Sequence, residues 1–135
     1  MITHDFPVRV YYDDTDAGGV VYHANYLKFT ERARTEYLRA LGFENSKIRD
    51  DYGIIIVVKN IEAEYFSPAR LDDFLVVQTR VLSVKNTSFV MKQDIYRGEG
   101  QIFGMTAVLV CVNAAGRPTK IPDAVKLSFV KEVEL

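Results

Sequence analysis

The feature that most constrains the fold is one long amphipathic helix followed by a continuous stretch of strand patterns. From about Tyr22 to Leu41, apolar residues recur at three- and four-residue spacing, and charged residues fill the opposite side. The apolar positions are Tyr26, Phe29, Ala33, Tyr37 and the pair Ala40/Leu41. Gly42 follows directly, where a glycine commonly ends a helix. A helix of this kind must bury its apolar side against another element.

The chain on either side of this helix favours strands. Val8–Tyr12 is a short β-type run, and four longer runs rich in β-branched and aromatic residues lie between Ile54 and Asn113. The longer runs are Ile54–Phe66, Phe74–Val84, Ser88–Tyr96 and Gln101–Val112. The turn sequences K-N-T and G-E-G separate the last three and predict hairpins. Glu44–Tyr52 is a short helix or an ordered loop by its composition, and the tail from Pro122 stays open.

These elements predict an α+β fold in which five antiparallel strands curl around one helix. At 135 residues and 48% hydrophobic content, the chain is long enough for one domain, residues 1–135, and short for two. A five-stranded sheet leaves exposed edges, and edge pairing with a second copy would cover them.

Composition excludes several classes of function. A formal net charge of −1 gives no basic face for nucleic acid. The N-terminus lacks a secretory pattern, and no apolar run approaches the roughly 20 residues of a membrane span. Cys111 is the only cysteine, which suits a reducing compartment, so we expect a cytoplasmic protein.

The loop before the helix carries the most reactive arrangement. Asp16 lies in a glycine-bearing loop, and a carboxylate there can act as a base or a nucleophile toward a carbonyl group. The free N–H groups of a helix's first turn can hold the oxyanion that forms. We expect the backbone N–H groups of Tyr22 and His23 to be these donors. The alternative is that Asp16 only shapes a turn.

The spacing Asp14-Thr15-Asp16-x-x-Gly19-x-x-Tyr22-His23-x-Asn25-Tyr26 resembles that of the hotdog-fold acyl-CoA thioesterases, in the 4-hydroxybenzoyl-CoA thioesterase-like superfamily. The following helix, V-V-Y-H-A-N-Y-L-K-F-T-E-R-A-R-T-E-Y-L-R-A-L-G, is most similar to the branch associated with the Tol-Pal gene cluster. The likeness continues through E-Y-F-S-P-A-R-L-D-D-F-L and G-R-P-T-K-I-P and covers nearly the whole chain.

The resemblance implies a fold, an assembly and a substrate class. The sheet would wrap the Tyr22–Leu41 helix, and dimers or dimers of dimers (a homotetramer) would share a continuous sheet with active sites at the interface. Coenzyme A would carry the acyl group, and neither a metal nor another cofactor would be needed. Aromatic-thioester members tend to carry Tyr-Pro where this chain has His23-Ala24, which favours a short-chain aliphatic acyl group.

The resemblance also implies roles for individual residues. Asp16 would be the base or nucleophile, and His23 would polarise the carbonyl, protonate the leaving thiolate or orient water. His23 as a plain surface residue is the alternative. Tyr12 would end the first strand with its hydroxyl beside Asp16, or be a core tyrosine. Gly19 would let the substrate approach the helix end.

Coenzyme A carries phosphates, so a cation is expected near the mouth of the site. The resemblance places the nucleotide contacts at Lys85, Asn86, Thr87 and Ser88, with Lys85 as the first choice. Arg70, Arg117 and Lys120 are the alternatives. The alternative for each of these cations is a solvated surface charge that binds no ligand.

Two other functions stay open at this point. A hotdog hydratase or dehydratase also uses an acid and a histidine at a helix entrance. A module that docks acyl-carrier protein or lipid-synthesis enzymes, with residual thioesterase activity, is the second. The serines lack a G-x-S-x-G context, Cys111 fits a core position, and the two histidines lack metal-ligand spacing.

Overall fold

The computed structural model describes residues 2–135, in which five strands and three helices follow one another along the chain. They are β1 (His4–Arg9), α1 (Asn25–Ala40), α2 (Asn45–Tyr52), β2 (Ile55–Tyr65), β3 (Phe74–Val84), β4 (Ser88–Arg97), β5 (Gly100–Val112) and α3 (Asp123–Glu134). A short 3-10 turn, Tyr12–Asp14, lies between β1 and α1. The predicted α+β fold is confirmed.

The strands form one antiparallel sheet in the order β1-β3-β4-β5-β2. β3, β4 and β5 are joined by the two predicted hairpins, whose ends pair Val84 with Phe89 and Arg97 with Gly100. β2 follows the helices and pairs with β5, so it is an edge strand, as is β1 at the other side.

The sheet buries one face against α1. Alternate residues of β3 and β4, among them Leu75, Val77 and Met91, are almost completely buried. The predicted apolar side of α1 supplies Tyr26, Phe29, Ala33 and Tyr37 to the same core. The helix ends at the predicted place, because Gly42 adopts a φ of 95° that favours glycine.

Two predicted boundaries near the loop that contains Asp16 are wrong. The helix begins at Asn25, three residues after Tyr22, because the Tyr22 N–H bonds the carbonyl of Asp14 and not a helical turn. The first strand ends at Arg9 and not at Tyr12, because its pairing with β3 ends where Arg9 lies opposite Phe74. Tyr12 therefore belongs to the loop.

The segment after Pro122, for which the sequence predicted no definite secondary structure, forms α3. Val125 and Phe129 are buried, and the ring of Phe129 lies 4.6 Å from that of Phe89. Glu132 of α3 lies 2.5 Å from the His4 ring of β1, so the helix closes the sheet near its β1 edge. None of the helices within residues 2–135 is both long and apolar enough to cross a membrane.

Candidate active site

The loop around Asp16 is held by its own backbone. The Asp16 N–H donates to the Val20 carbonyl at 2.9 Å, and the Gly19 N–H donates to the Asp16 carbonyl at 3.0 Å. The reversal requires a positive φ, 79°, at Gly19. Gly19 therefore shapes the backbone of the loop.

The Asp16 carboxylate is oriented yet open to solvent. Its Oδ1 accepts the Gly18 N–H at 2.8 Å, and a Cβ atom at residue 18 would lie 3.1 Å from that oxygen. Asp16 is exposed, and no Lys or Arg nitrogen of the described chain lies within 4.0 Å of its carboxylate. One carboxylate oxygen is therefore fixed by the backbone, and Oδ2 is available to water or a substrate.

Asp14 and Asn25 connect this loop to the helix. Asp14 Oδ2 accepts the Tyr11 N–H at 2.8 Å. The Asp14 carbonyl accepts both the Tyr22 N–H at 3.0 Å and the side-chain amide of Asn25 at 2.8 Å. Through these bonds Asp14 orders the loop. They also hold the Asp16 turn against the start of α1.

The same bonds correct the expected oxyanion donors. The Tyr22 N–H is already used by Asp14, so it is not free for a substrate. The N–H groups of His23 and of Ala24, the N-cap residue of α1, make no backbone hydrogen bond within residues 2–135. The free pair at this helix start is therefore His23 and Ala24. Placing the start of the helix too early in the sequence caused the error.

A tyrosine that the sequence analysis missed fixes this helix start. The Tyr65 hydroxyl donates to the His23 carbonyl at 2.8 Å. Since the peptide group is planar and trans, the Ala24 N–H of the same peptide points away from Tyr65. Burial, and then the neighbouring Tyr26, raise the pKa of Tyr65, so its hydroxyl stays a donor at neutral pH. No local pattern connects residues 42 positions apart.

The other predicted side chains are divided between two surface depressions. Asp16 and Tyr12 line one of about 500 Å³. His23 lines another of about 320 Å³ with Tyr65 and Tyr26, and its exposed ring lies 4.5 Å from the Tyr22 ring. Tyr12 is 82% exposed, so the core-tyrosine alternative is wrong. The structure thus places Tyr12 and Asp16 in the wall of one depression and His23 in the wall of another.

The predicted nucleotide contacts lie at the far end of the sheet. Lys85 is exposed in the β3–β4 hairpin, where its N–H donates to the Ser88 carbonyl at 2.7 Å. Ser88 pairs with Val110 of β5, whereas Tyr65 pairs with Phe103. At about 3.4 Å per residue, these positions are roughly 24 Å apart. One chain therefore does not bring Lys85–Ser88 to Asp16.

A third hollow lies between α1 and β2 at the hairpin end of the sheet. It has a volume of about 310 Å³ and is bounded by α1, the start of α2, β2 and the inner face of β4 and β5. We call it the inner cavity. Its walls are Glu31, Arg34, Thr35, Leu38, Asn45, Ile56, Val57, Val58, Phe89, Met91 and Leu109.

Cys111 and a metal-binding cluster are the two other reactive groups that a site could contain. Cys111 is buried in β5, and burial raises the pKa of its thiol to about 11, so little thiolate forms at neutral pH. Within residues 2–135, no group of three or more His, Cys, Asp and Glu side chains could hold a metal ion.

Comparison with known proteins identifies the relatives of this arrangement. Residues 18–103 match the family model of the thioesterase superfamily. The chain is 45% identical to the acyl-CoA thioesterase YbgC of Haemophilus influenzae, over 92% of each chain. It is 44% identical to the acyl-CoA thioester hydrolase YbgC of Escherichia coli O157:H7, over 92% of this chain and 93% of that one.

Two solved structures superimpose well on this chain. A probable thioesterase from Bartonella henselae superimposes with a TM-score of 0.86 at 37% identity, covering 90% of this chain and all of that one (100%). The 4-hydroxybenzoyl-CoA thioesterase of Pseudomonas sp. strain CBS-3 superimposes with a TM-score of 0.84 over 93% of this chain and 98% of its own. Its sequence identity is 20%, so it supports the fold alone.

Proposed function

This chain belongs to the thioesterase superfamily and is an acyl-CoA thioester hydrolase, and on that premise we propose which of its residues carry out the hydrolysis. The observation that carries the proposal is the exposed Asp16 carboxylate, oriented by the Gly18 N–H. The loop that holds it is bonded to the helix start, where the N–H groups of His23 and Ala24 have no backbone acceptor in the described chain.

In the proposed reaction, Asp16 attacks the thioester carbonyl or removes a proton from the water that attacks it. The carbonyl oxygen becomes negative in the tetrahedral intermediate and accepts hydrogen bonds from the backbone N–H groups of His23 and Ala24. Collapse breaks the C–S bond, and the exposed His23 ring can protonate the departing thiolate. If Asp16 attacks directly, water then cleaves the mixed anhydride, and the products are the same carboxylic acid and coenzyme A.

We propose that the site is completed by a second copy of the chain. β2 is an eleven-residue edge strand whose free edge pairs with no strand of residues 2–135, and it exposes Ile55, Val58 and Tyr65. Antiparallel pairing of two such edges about their middle residue, Asn60, sets the Tyr65 end of one protomer beside the Ile55 end of its partner. Two free edges are covered and the sheet becomes continuous.

This pairing brings together what one chain keeps apart. The Asp16 loop lies at the Tyr65 end of the sheet, and the Lys85 hairpin and the inner cavity lie at the Ile55 end. Lys85 and the inner cavity of one protomer would then lie at the same end as the partner's Asp16. The hairpin would meet the nucleotide phosphates, and the cavity would receive the acyl group.

Mixing two variants, each impaired in a different part of the site, tests the shared site. Asp16→Asn and Lys85→Ala homodimers, unfolded together and refolded, should give mixed dimers with one site that keeps both native residues. We expect kcat/KM to rise well above that of either variant alone. If each site were built from a single chain, the mixed dimers would show no such gain in kcat/KM. A solution mass that stays near the 15.4 kDa of the monomer would contradict the dimer itself.

Lys85 has a separate test. Lys85→Ala should raise KM for coenzyme A thioesters more than for pantetheine thioesters, because only the former carry the nucleotide phosphates, and high salt should reduce the difference. Lys131→Ala, an exposed lysine on α3, is the matched control. Equal effects of Lys85→Ala on both substrates would remove Lys85 from the nucleotide site.

The acyl group is proposed to be a short aliphatic one. The inner cavity of about 310 Å³ is at the small end of the range of ligand pockets, about 300–1,000 Å³. Thiol release from short aliphatic, long aliphatic and aromatic acyl-CoAs should give the highest kcat/KM for the short aliphatic group. The same acyl groups attached to acyl-carrier protein test whether the carrier protein can replace coenzyme A as the acyl donor. A higher kcat/KM for long or aromatic groups would contradict the chain-length proposal.

A further inference from the structure

We propose that Arg34 makes the inner cavity a site for short acyl groups that carry a carboxylate at their far end. The proposal rests on the hydrolase function and on the shared dimer site proposed above, and it adds the chemistry of the substrate. It starts from an arginine whose charge is only partly satisfied by the protein.

Arg34 lies in the wall of the inner cavity. Its side chain is half-buried where it lines the inner cavity, and Nη1 donates to the amide oxygen of Gln93 at 3.0 Å. No carboxylate oxygen of residues 2–135 lies within 4.0 Å of its guanidinium. A guanidinium withdrawn from water is normally paired with an anion. This one is held by a neutral amide.

The orientation of Gln93 is fixed by the protein. Its amide nitrogen donates to the Thr30 carbonyl at 2.9 Å and to the Thr79 hydroxyl at 3.0 Å. Gln93 is fully buried, so these bonds leave only its amide oxygen to face Arg34. Gln93 is thus a positioning residue. It holds the guanidinium in place without cancelling its charge.

Other partly buried arginines of the chain differ in this respect. Arg97 lies 3.0 Å from the Asp73 carboxylate, and Arg80 lies 3.5 Å from that of Asp94. Their charges are matched within the protein, and neither lines the inner cavity. Arg34 combines a place in the cavity wall, a fixed geometry and a guanidinium with no carboxylate within 4.0 Å in residues 2–135. Glu31 of the same helix acts on its charge only from a greater distance.

The rest of the cavity selects the shape of the ligand. Leu38, Ile56 and Phe89 give it apolar walls that suit a methylene chain. A carboxylate at the end of that chain can accept two parallel N–H bonds from a guanidinium. Glu31 also lines the cavity, but it is exposed, so solvent weakens its repulsion of a ligand anion. A small ω-carboxyacyl group meets all of these conditions.

The test compares adipoyl-CoA with hexanoyl-CoA, which have equal chain lengths and differ in the terminal carboxylate. We expect kcat/KM to be at least ~10-fold higher for adipoyl-CoA, in line with a charge-assisted hydrogen bond. Arg34→Met should abolish this preference, because it should lower kcat/KM for adipoyl-CoA at least ~10-fold more than kcat/KM for hexanoyl-CoA. Arg32→Met is the control, because Arg32 is exposed on the same helix and has no carboxylate within 4.0 Å in the described chain.

Direct binding makes the outcome independent of hydrolysis. Calorimetry should show that adipate binds the native protein more tightly than hexanoate does, and that Arg34→Met loses the difference while Arg34→Lys keeps part of it. Equal or weaker binding of adipate would overturn the proposal, as would equal loss of both substrates in Arg34→Met. Failure to hydrolyse any acyl-CoA would instead refute the proposed function, and the adipate measurement would still decide the role of Arg34.

Discussion

The polar groups at the two ends of helix α1 differ in their exposure to solvent. At its start, the Asp16 carboxylate is exposed, and the N–H groups of His23 and Ala24 make no backbone hydrogen bond in the described chain. Towards its end, Tyr37 is fully buried, with the His4 ring 4.6 Å away. His4 in turn lies 2.5 Å from Glu132, which is also buried.

If the proposed mechanism holds, this difference separates the groups that react from those that stabilise the fold within one element. Polar groups without partners cost little where water reaches them, and they are what a substrate needs. A buried polar group is costly unless it is paired, and at the other end the buried Glu132 carboxylate bonds the His4 ring and so joins β1 to α3. Substitutions at the first end should therefore change rates, and those at the second should change the free energy of unfolding.

The largest effect is expected for Asp16→Asn. The amide keeps the size and the bond to the Gly18 N–H, but it is neither a base nor a good nucleophile, so kcat should fall by at least ~10²-fold. The free energy of unfolding should stay within about 0.5 kcal/mol of native, as at other exposed positions. Asp13→Asn, an exposed aspartate of the same loop, is the control. A variant that keeps more than about a tenth of the native kcat would refute the assignment.

Glu132→Ala should give the reverse result. It removes the carboxylate that bonds the partly exposed His4 ring, and chemical denaturation should show a loss of about 2 kcal/mol, in the range of a hydrogen bond to a charged group. Its kcat should remain near native. Glu134→Ala, exposed on the same helix, should change neither quantity. A large loss of kcat in the folded Glu132→Ala protein would break the separation between the two ends.

Tyr65→Phe tests whether the rate depends on how the helix start is held. It removes the hydroxyl that bonds the His23 carbonyl and keeps the ring that packs 5.0 Å from Phe103. We expect kcat to fall about 10-fold, less than the ~10²–10³-fold for direct loss of an oxyanion donor, with KM little changed. Tyr52→Phe is the exposed control. An unchanged kcat would show that Tyr65 is not a positioning residue.

Tyr37→Phe should give the smallest effect and the opposite sign. The Tyr37 hydroxyl is buried and meets no partner at good hydrogen-bond geometry in residues 2–135. Burial, then the charge of Glu132 and the approach of its side chain to the hydroxyl, raise the pKa of Tyr37, so it is buried in the neutral form. Removing an unpaired buried hydroxyl should raise the free energy of unfolding by about 1 kcal/mol, with kcat unchanged. A loss of stability on denaturation would mean that the hydroxyl does bond a neighbour.

The elements that could be predicted are those with local causes. β3 has the predicted bounds, Phe74–Val84, because alternation and the flanking turn residues lie within the segment itself. The end of α1 at Gly42 depends likewise on one residue. The tail from Pro122 stayed open because the amphipathic pattern of α3 is short, and its contacts with Phe89 and His4 are distant in sequence.

The sequence by itself determined the curled sheet around one helix, the family and the position of Asp16, since spacing and residue type within short segments carry that information. Only the tertiary structure decided which N–H groups are free, because the Asp14 carbonyl takes that of Tyr22. It also decided that Tyr65 holds His23 and that Gln93 holds Arg34. These contacts join residues 42 and 59 positions apart, so their geometry exists only after the strands have paired and the helix has packed.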